Sequence, residues 1–348
     1  MGFTIKPIFV RRISRMKKLF LFSFLCSVAV GLFAQQGGER GYTFLQIPTN
    51  ARSAAMGGHL ISHQCNINQI ADNPALLDLG KQNISFNYAN YVGDINGGTV
   101  FFHPHQKAKN YAFSIQYFNY GSFFEANTSG NITGEFSAGE YALAGYRKFN
   151  ITEKLSAGLA SNFLISTFPQ NVNLGLGLTG GMYYTESEKD LSLGFVIKHA
   201  GLQIYSQNQT SSALPFEIQL GVSKRLAKAP FRLSILAHNL QTWDLSYPDE
   251  STIEVDPFTG EEKQKVFTLD KFMRHFNAGV EFFPAKSFML RFSYNHQRRR
   301  EMQLATRSGF AGFGVGTGIN FNKFTFDYGI TGYHIAGALH MFTLNTKI

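Results

Sequence analysis

The chain has 348 residues, 44% of them hydrophobic, 16% charged and 15% aromatic, with 35 Phe and 15 Tyr. So many aromatic groups with so few charges exclude an intrinsically disordered chain. The formal charge is +9, but residues 1–34 hold six basic side chains (Lys6, Arg11, Arg12, Arg15, Lys17, Lys18) and no acid, which leaves +3 for the rest and removes the case for a nucleic-acid partner.

Met16-Lys17-Lys18, the apolar run Leu19 to Phe33 and the exit Ala34-Gln35-Gln36 follow the order of a secretory signal. The run is short for a bilayer helix, which needs about 20 apolar residues. Residues 1–34 are therefore expected to be a signal peptide with its true start at Met16, cleaved before Gln35. Cleavage removes Cys26 and leaves Cys65 alone, so no intrachain disulfide is expected. Residues 35–82 lack sustained alternation and carry Gly57-Gly58 and a Pro74 turn; they are expected to form an N-terminal plug in the periplasmic end of a barrel.

From Asn83 onward the dominant period is two. Phe288, Leu290, Phe292 and Tyr294 alternate with Met289, Arg291, Ser293 and Asn295, and Phe324, Phe326, Tyr328 and Ile330 with Thr325, Asp327, Gly329 and Thr331. Strand side chains point to opposite faces in turn, so each segment has one apolar and one polar or small face. Such runs centre on Phe86, Val100, Ile115, Leu143, Leu159, Leu178, Phe195, Leu220, Ile235, Val280, Phe292, Gly316, Phe326 and Phe342, which predicts about fourteen strands over 83–348. Every second connection is short: 104–110, 150–154, 186–190, 226–230, 284–287 and 322–323. The intervening ones, including 121–136, 199–213, 240–271 and 298–310, are mostly much longer. Outer-membrane barrels sort their connections in this way, with short periplasmic turns and long external loops, whereas a soluble sandwich does not. The expected fold is all-β: a transmembrane outer-membrane barrel of antiparallel strands.

The sequence offers no enzyme and no cofactor. Gly175-Leu176-Gly177-Leu178-Thr179-Gly180 matches a dinucleotide fingerprint in letters, but it lies within an alternating strand with no helix after it. Its glycines, with Gly312, Gly314, Gly316 and Gly318, instead give a smooth sheet face for the plug to approach. His59, His63 and Cys65, and His103 with His105, lack a second pair at structural-zinc spacing, so no metal is expected. Two external loops stand out as candidate partner-binding surfaces. One holds the single Trp243 with Tyr247, Asp249 and Glu250, and the next begins Arg298-Arg299-Arg300. Aromatic and arginine side chains are favoured at protein interfaces, although the two loops can equally pair with each other by charge.

The stretch Asn50-Ala51-Arg52-Ser53-Ala54-Ala55-Met56-Gly57-Gly58, followed by Asp72-Asn73-Pro74-Ala75-Leu76-Leu77, resembles the N-terminal plug of the long-chain fatty-acid transporter (FadL) family. Together with Gly41-Tyr42-Thr43-Phe44-Leu45, Gln116 to Gly121 and Ala229-Pro230-Phe231-Arg232, it is similar to the PorV/PorQ group of type IX secretion barrels, over the chain from about Gly38. That resemblance marks Arg52, Gly57, Gly58, Asn73, Pro74 and Ala75 as the plug motif. It implies a non-enzymatic component of the cell-surface attachment complex in the bacterial outer membrane, with its loops at the cell surface. Such a component contacts outer-membrane lipid and lipopolysaccharide and anchors a PorZ-like surface protein beside PorU- and PorV-like partners. The complex removes sorting signals from cargo and joins the cargo to lipopolysaccharide. The alternative on the same fold is a transporter for hydrophobic small molecules. A purely structural membrane protein is a third, less favoured reading.

Overall fold

The computed structural model describes residues 41–64, 66–77, 83–93, 95–104, 110–169, 171–208, 212–246, 253–255, 262–264, 268–302, 309–334 and 337–346. The expected signal segment lies outside these. The strands are β1 (Ile84–Asn90), β2 (Asn96–Phe102), β3 (Tyr111–Ala126), β4 (Ile132–Asn150), β5 (Leu155–Phe168), β6 (Asn171–Glu186), β7 (Leu191–Ser206), β8 (Glu217–Arg225) and β9 (Phe231–Ala237). They continue with β10 (Ile253–Val255), β11 (Glu262–Gln264), β12 (Phe276–Ala285), β13 (Phe288–Asn295), β14 (Phe313–Asn320), β15 (Phe324–His334) and β16 (Gly337–Thr346). All except β10 and β11, which form a separate two-stranded sheet, join one closed antiparallel barrel of fourteen strands. β1 closes the ring by pairing with β16, in register from Ile84↔Thr346 to Asn90↔His340. Every strand centre read from the alternation falls in a barrel strand.

The two faces follow the alternation. On β13, Phe292 is 51% exposed on the outer wall, while Arg291 and Ser293 on either side of it are buried in the lumen. The outer wall carries Phe86, Phe113, Ile115, Leu143, Leu178 and Leu220 in the same way. An apolar exterior around a lumen of small and polar residues suits hydrocarbon outside and a filled interior.

One end of the barrel, here the short-turn rim, has the short connections; the other is the long-loop rim. Residues 121–136, expected as a loop, are mostly strand: β3 and β4 stay paired from Ser122↔Ser137 to Ala126↔Ile132 beyond a register shift at Gly121. Adjacent Phe123 and Phe124 break the alternation and hide this extension from a period-two reading. Phe123 stacks on Phe136 across the hairpin at 5.3 Å between centroids. β2 pairs with β3 only as far as Asn119, and β5 pairs with β4 only as far as Gly139, so both edges of the hairpin tip are open among the described strands. The long connection after β9 holds the β10–β11 sheet and helix α2 (Thr268–Met273), and the connection after β13 holds helix α3 (His296–Glu301).

Residues 41–64 and 66–77 lie within the lumen. The segment starts at the long-loop rim, where the Gly41 N–H donates to the Ala213 carbonyl at 3.0 Å. It ends at the short-turn rim, where Lys148 Nζ donates to the Leu77 carbonyl at 2.9 Å. Helix α1 (Ala51–Ala55) is N-capped by Asn50, whose Oδ1 accepts from the Ser53 N–H at 2.9 Å. The helix is Ala-rich because it lies almost on the sheet. A Cβ added to Gly329 would meet the Ala51 carbonyl at 2.2 Å, and one on Gly314 would meet the Ala55 carbonyl at 2.9 Å. The chain leaves α1 through Gly57 and Gly58, at φ +89° and +133°, a conformation that side chains beyond glycine rarely adopt.

Candidate functional site in the lumen

The lumen wall divides into two chemically different halves. On β7 to β15, with the residues that flank those strands, it carries Lys198, Glu217, Arg232, Glu281, Arg291 and Asp327. These hold the segment by charge. Arg52 Nε and Nη2 donate to Glu281 Oε1 and Oε2 at 2.8 and 2.6 Å, with both side chains essentially excluded from solvent. Arg291 Nε reaches Glu281 at 3.1 Å and its Nη1 reaches Asp327 at 2.7 Å, while Arg232 stands 3.5 Å from Glu281. Two carboxylates and three guanidiniums thus share one buried site, in which each charge faces an opposite one. His63 Nδ1 lies 2.8 Å from Arg52 Nη2. Desolvation in the lumen, reinforced by the Arg52 guanidinium, holds His63 well below the usual imidazole range.

A second anchor surrounds Asp72. It accepts from the Leu60 N–H at 3.1 Å and from the Ser53 hydroxyl, lies 3.0 Å from His59 Nδ1, and has Lys198 at 3.8 Å. Burial opposes ionisation here, but the His59 hydrogen bond and the Lys198 charge prevail and hold the Asp72 carboxyl below its ordinary value. Asn73 does local work of the same kind: its Oδ1 accepts from the Ala75 N–H at 3.0 Å, and its Nδ2 donates to the carbonyls of Ile61 and Met182 at 2.9 and 3.0 Å. Pro74 starts the short turn that runs to Leu76 and lies against Gly158. The motif residues Arg52, Gly57, Gly58, Asn73, Pro74 and Ala75 therefore fix the segment to the wall and to itself.

The wall on β2 to β6 is different. Between its rims the inward residues are Phe101, Ala112, Phe118, Ala142, Ala144, Tyr146, Ala160 and Leu164 among smaller polar groups. Tyr42, Phe44 and Leu45 pack on this stripe. A cavity of about 420 Å³ opens at the long-loop end of the stripe, lined by Tyr42, Tyr120, Glu140, Phe168, Asn171 and Gln203 among others. A small void of about 40 Å³, bordered by Leu45, Phe101, Ala142 and Ala144 on the stripe and by His59, Asp72, Lys198 and His199 on the charged side, lies further in. Tyr42 lines the outer cavity and Leu45 the inner void.

The loop candidates disperse. Trp243 is 69% exposed and stacks on His275 at 5.8 Å. Tyr247, Asp249 and Glu250 lie outside the described residues. Of the arginine run, Arg298 turns inward: it lies over the Tyr333 ring at 4.0 Å and reaches the Gly57 carbonyl at 3.5 Å. Arg299 donates to the Gly309 carbonyl at 2.9 Å. Arg300 pairs with Asp270 at 2.9 Å and ties α3 to α2. Asp270 also takes Arg274 and His296 at 2.9 Å each. Asp244 is held down to about 2 chiefly by its hydrogen bond from Lys271. Among the described residues, Asp270 thus joins the acidic loop to the basic one through Arg300 and His296.

No family model and no curated protein matches the chain. Solved structures do match it in shape. The chain is similar to a TodX deltaS2S3 mutant, described as a monoaromatic hydrocarbon channel, at 12% identity over 86% of this chain and 99% of that one, with a TM-score of 0.50. The Pseudomonas putida toluene transporter TodX gives 12% identity, coverage of 88% and 96%, and a TM-score of 0.47. A Pseudomonas aeruginosa FadL homologue gives 12%, 86% and 98%, and 0.43. At these identities the likeness speaks for the fold alone, a closed fourteen-stranded barrel of the outer-membrane kind. These neighbours are channels and transporters rather than enzymes.

Proposed function

We propose that this protein is an outer-membrane transporter for hydrophobic small molecules, with the long-loop rim at the cell surface. The observation that carries the reading is the apolar stripe on β2 to β6. It begins at the cavity of about 420 Å³ and continues inward beneath Tyr42, Phe44 and Leu45. Such a stripe lets an apolar solute exchange one apolar surface for another, and the ionic half of the lumen keeps the segment attached while it yields locally. The TodX variant of similar fold is a monoaromatic hydrocarbon channel, which supports this reading over the attachment reading.

The test is uptake of a radiolabelled monoaromatic hydrocarbon by cells with and without the protein. Wild type should raise the initial rate severalfold, and Ala142→Glu, which puts a charge on the stripe, should abolish the gain. Equal uptake in cells with and without the barrel overturns the reading.

A second reading remains on the strength of a different observation. The tip of the β3–β4 hairpin stands beyond its neighbours with open edges, and carries Phe124 and Ile132 at 67% and 66% exposure. Trp243 is equally open. A docking platform of the type IX attachment complex, holding a PorZ-like surface protein beside PorU/PorV-like partners and lipopolysaccharide, would use such surfaces. Deleting the hairpin tip, residues 122–136, together with residues 243–265 should then leave a folded barrel but release the surface partner. Retention of the partner with normal cargo processing would remove this reading.

A further inference from the structure

The cavity at the long-loop end of the apolar stripe is not chemically neutral. Glu140 lines it on a side chain only 3% exposed. The partners of its carboxylate are the hydroxyls of Tyr120 and Ser166, and no Lys, Arg or His lines the cavity among the described residues. A carboxylate has room for about four hydrogen bonds, so two hydroxyls leave acceptor capacity, and a buried charge without a counter-ion is costly. Two more polar atoms wait beside it. Tyr42, 4% exposed, has a hydroxyl with no hydrogen-bond partner, and Asn171 Oδ1 is likewise unpartnered. The cavity is thus rich in acceptors and poor in cations. Its walls add aromatic faces: Tyr120 packs against Phe168 at 5.9 Å and against Phe118 at 5.5 Å.

We propose that this cavity recognises small organic amines, binding the ammonium group at Glu140, Tyr42 and Asn171 and the hydrocarbon body against Tyr120, Phe168 and the stripe below. The assignment rests on the transporter reading and narrows its substrate class. An ammonium supplies up to three donors to these acceptors and gains from the ring faces. A carboxylate or phosphate would meet Glu140 with like charge. A plain hydrocarbon would cover the polar atoms and leave them unsatisfied.

Equilibrium dialysis of the full chain in lipid nanodiscs tests this with three probes of one shape: phenethylamine, 2-phenylethanol and ethylbenzene. At pH 7 the amine should bind about tenfold more tightly than ethylbenzene, with the alcohol between, as a charge-assisted hydrogen bond requires. Glu140→Gln should bring the amine-to-hydrocarbon ratio close to one, and Tyr42→Phe should lower it by a smaller factor; heat-modifiability on gels reports whether each variant is folded. An unchanged ratio in both folded variants overturns the proposal. Ethylbenzene binding with no advantage for the amine also overturns it but leaves the transporter reading standing. A tenfold amine preference with uptake of neither phenethylamine nor a hydrocarbon by cells supports the site while the transporter reading falls. If none of the probes binds wild type, both fall.

Discussion

At the scale of single residues, the decisive group is Glu281. It holds Arg52 of the luminal segment while Arg291 and Arg232 hold it in turn. Removing one member of a buried ion pair typically costs about 3 to 5 kcal/mol, because the partner stays behind uncompensated. The two partners of this pair should not be equal. Arg52→Met leaves Glu281 with two other guanidiniums, whereas Glu281→Gln removes the carboxylate that all three guanidiniums share. Protease cleavage between residues 41 and 77 should therefore accelerate more in Glu281→Gln than in Arg52→Met, and the reverse order would refute the charge count. His63 adds a dependence on acidity. Desolvation and the cations around it, Arg52, Arg232 and Arg225, lower its pKa in the docked segment, and Glu281 only partly opposes them. A depressed folded-state value means that the released segment takes up the proton first. Docking is then strongest above the ordinary imidazole value of 6.5 and weakens as the pH falls below it. Cleavage of the segment should be faster at pH 5.5 than at 7.5 in wild type, and His63→Gln should flatten that difference.

At the scale of elements, the barrel was legible because period-two alternation is a direct print of the two faces. Phe292→Arg, on the outer wall of β13, should cost about 2 to 4 kcal/mol if it lies near the membrane midplane, measured by denaturant unfolding in lipid. A loss below 1 kcal/mol would place that face outside hydrocarbon. Parity alone makes Ser293→Arg look mild, but Gly314, the partner of Ser293 on β14, lies against the α1 carbonyls, so there is no room for an arginine. Gly329→Leu should be more damaging to the segment than to the barrel, since its Cβ would enter the Ala51 carbonyl. The expected result is a heat-modifiable barrel with residues 41–77 open to protease; unchanged protection would disprove the close approach. The candidate site was less legible. Arg291 and Asp327 stood at inward parity in the sequence, yet parity does not say which inward residues of different strands converge. Glu140 was hidden for a second reason: its strand runs on into a tip that alternation missed. The arginine run misled in part because Arg298 follows a helical turn inward, which no charge pattern announces.

At the scale of the whole molecule, the lumen is a divided interior, charged on one side and apolar on the other, with one segment serving both. The charged side fixes α1 and Asp72; the apolar side meets only Tyr42, Phe44 and Leu45 near the mouth and short turns near the base. Motion confined to residues 42–45 would therefore uncover the outer part of the stripe, Phe118, Ala142 and Leu164, without breaking the buried ion pairs. Phe44→Ala should raise hydrocarbon uptake if the transporter reading holds, measured as the initial rate in cells. A fall in uptake, with the barrel present at wild-type level, would make Phe44 part of the path rather than its obstruction. The route of the segment has a further consequence, for assembly. It descends from the long-loop rim to the short-turn rim and joins β1 there, while α1 rests on β14, β15 and β16, the strands made last. The Ala51 N–H donates to Thr343 across almost the whole length of the chain. During synthesis α1 thus lacks the wall it rests on until the final hairpin arrives, and the seam between β1 and β16 must close around a thread already drawn through. A barrel that seals first would shut its own filling outside, so the order of closure, and not only the final contacts, decides whether the lumen is occupied.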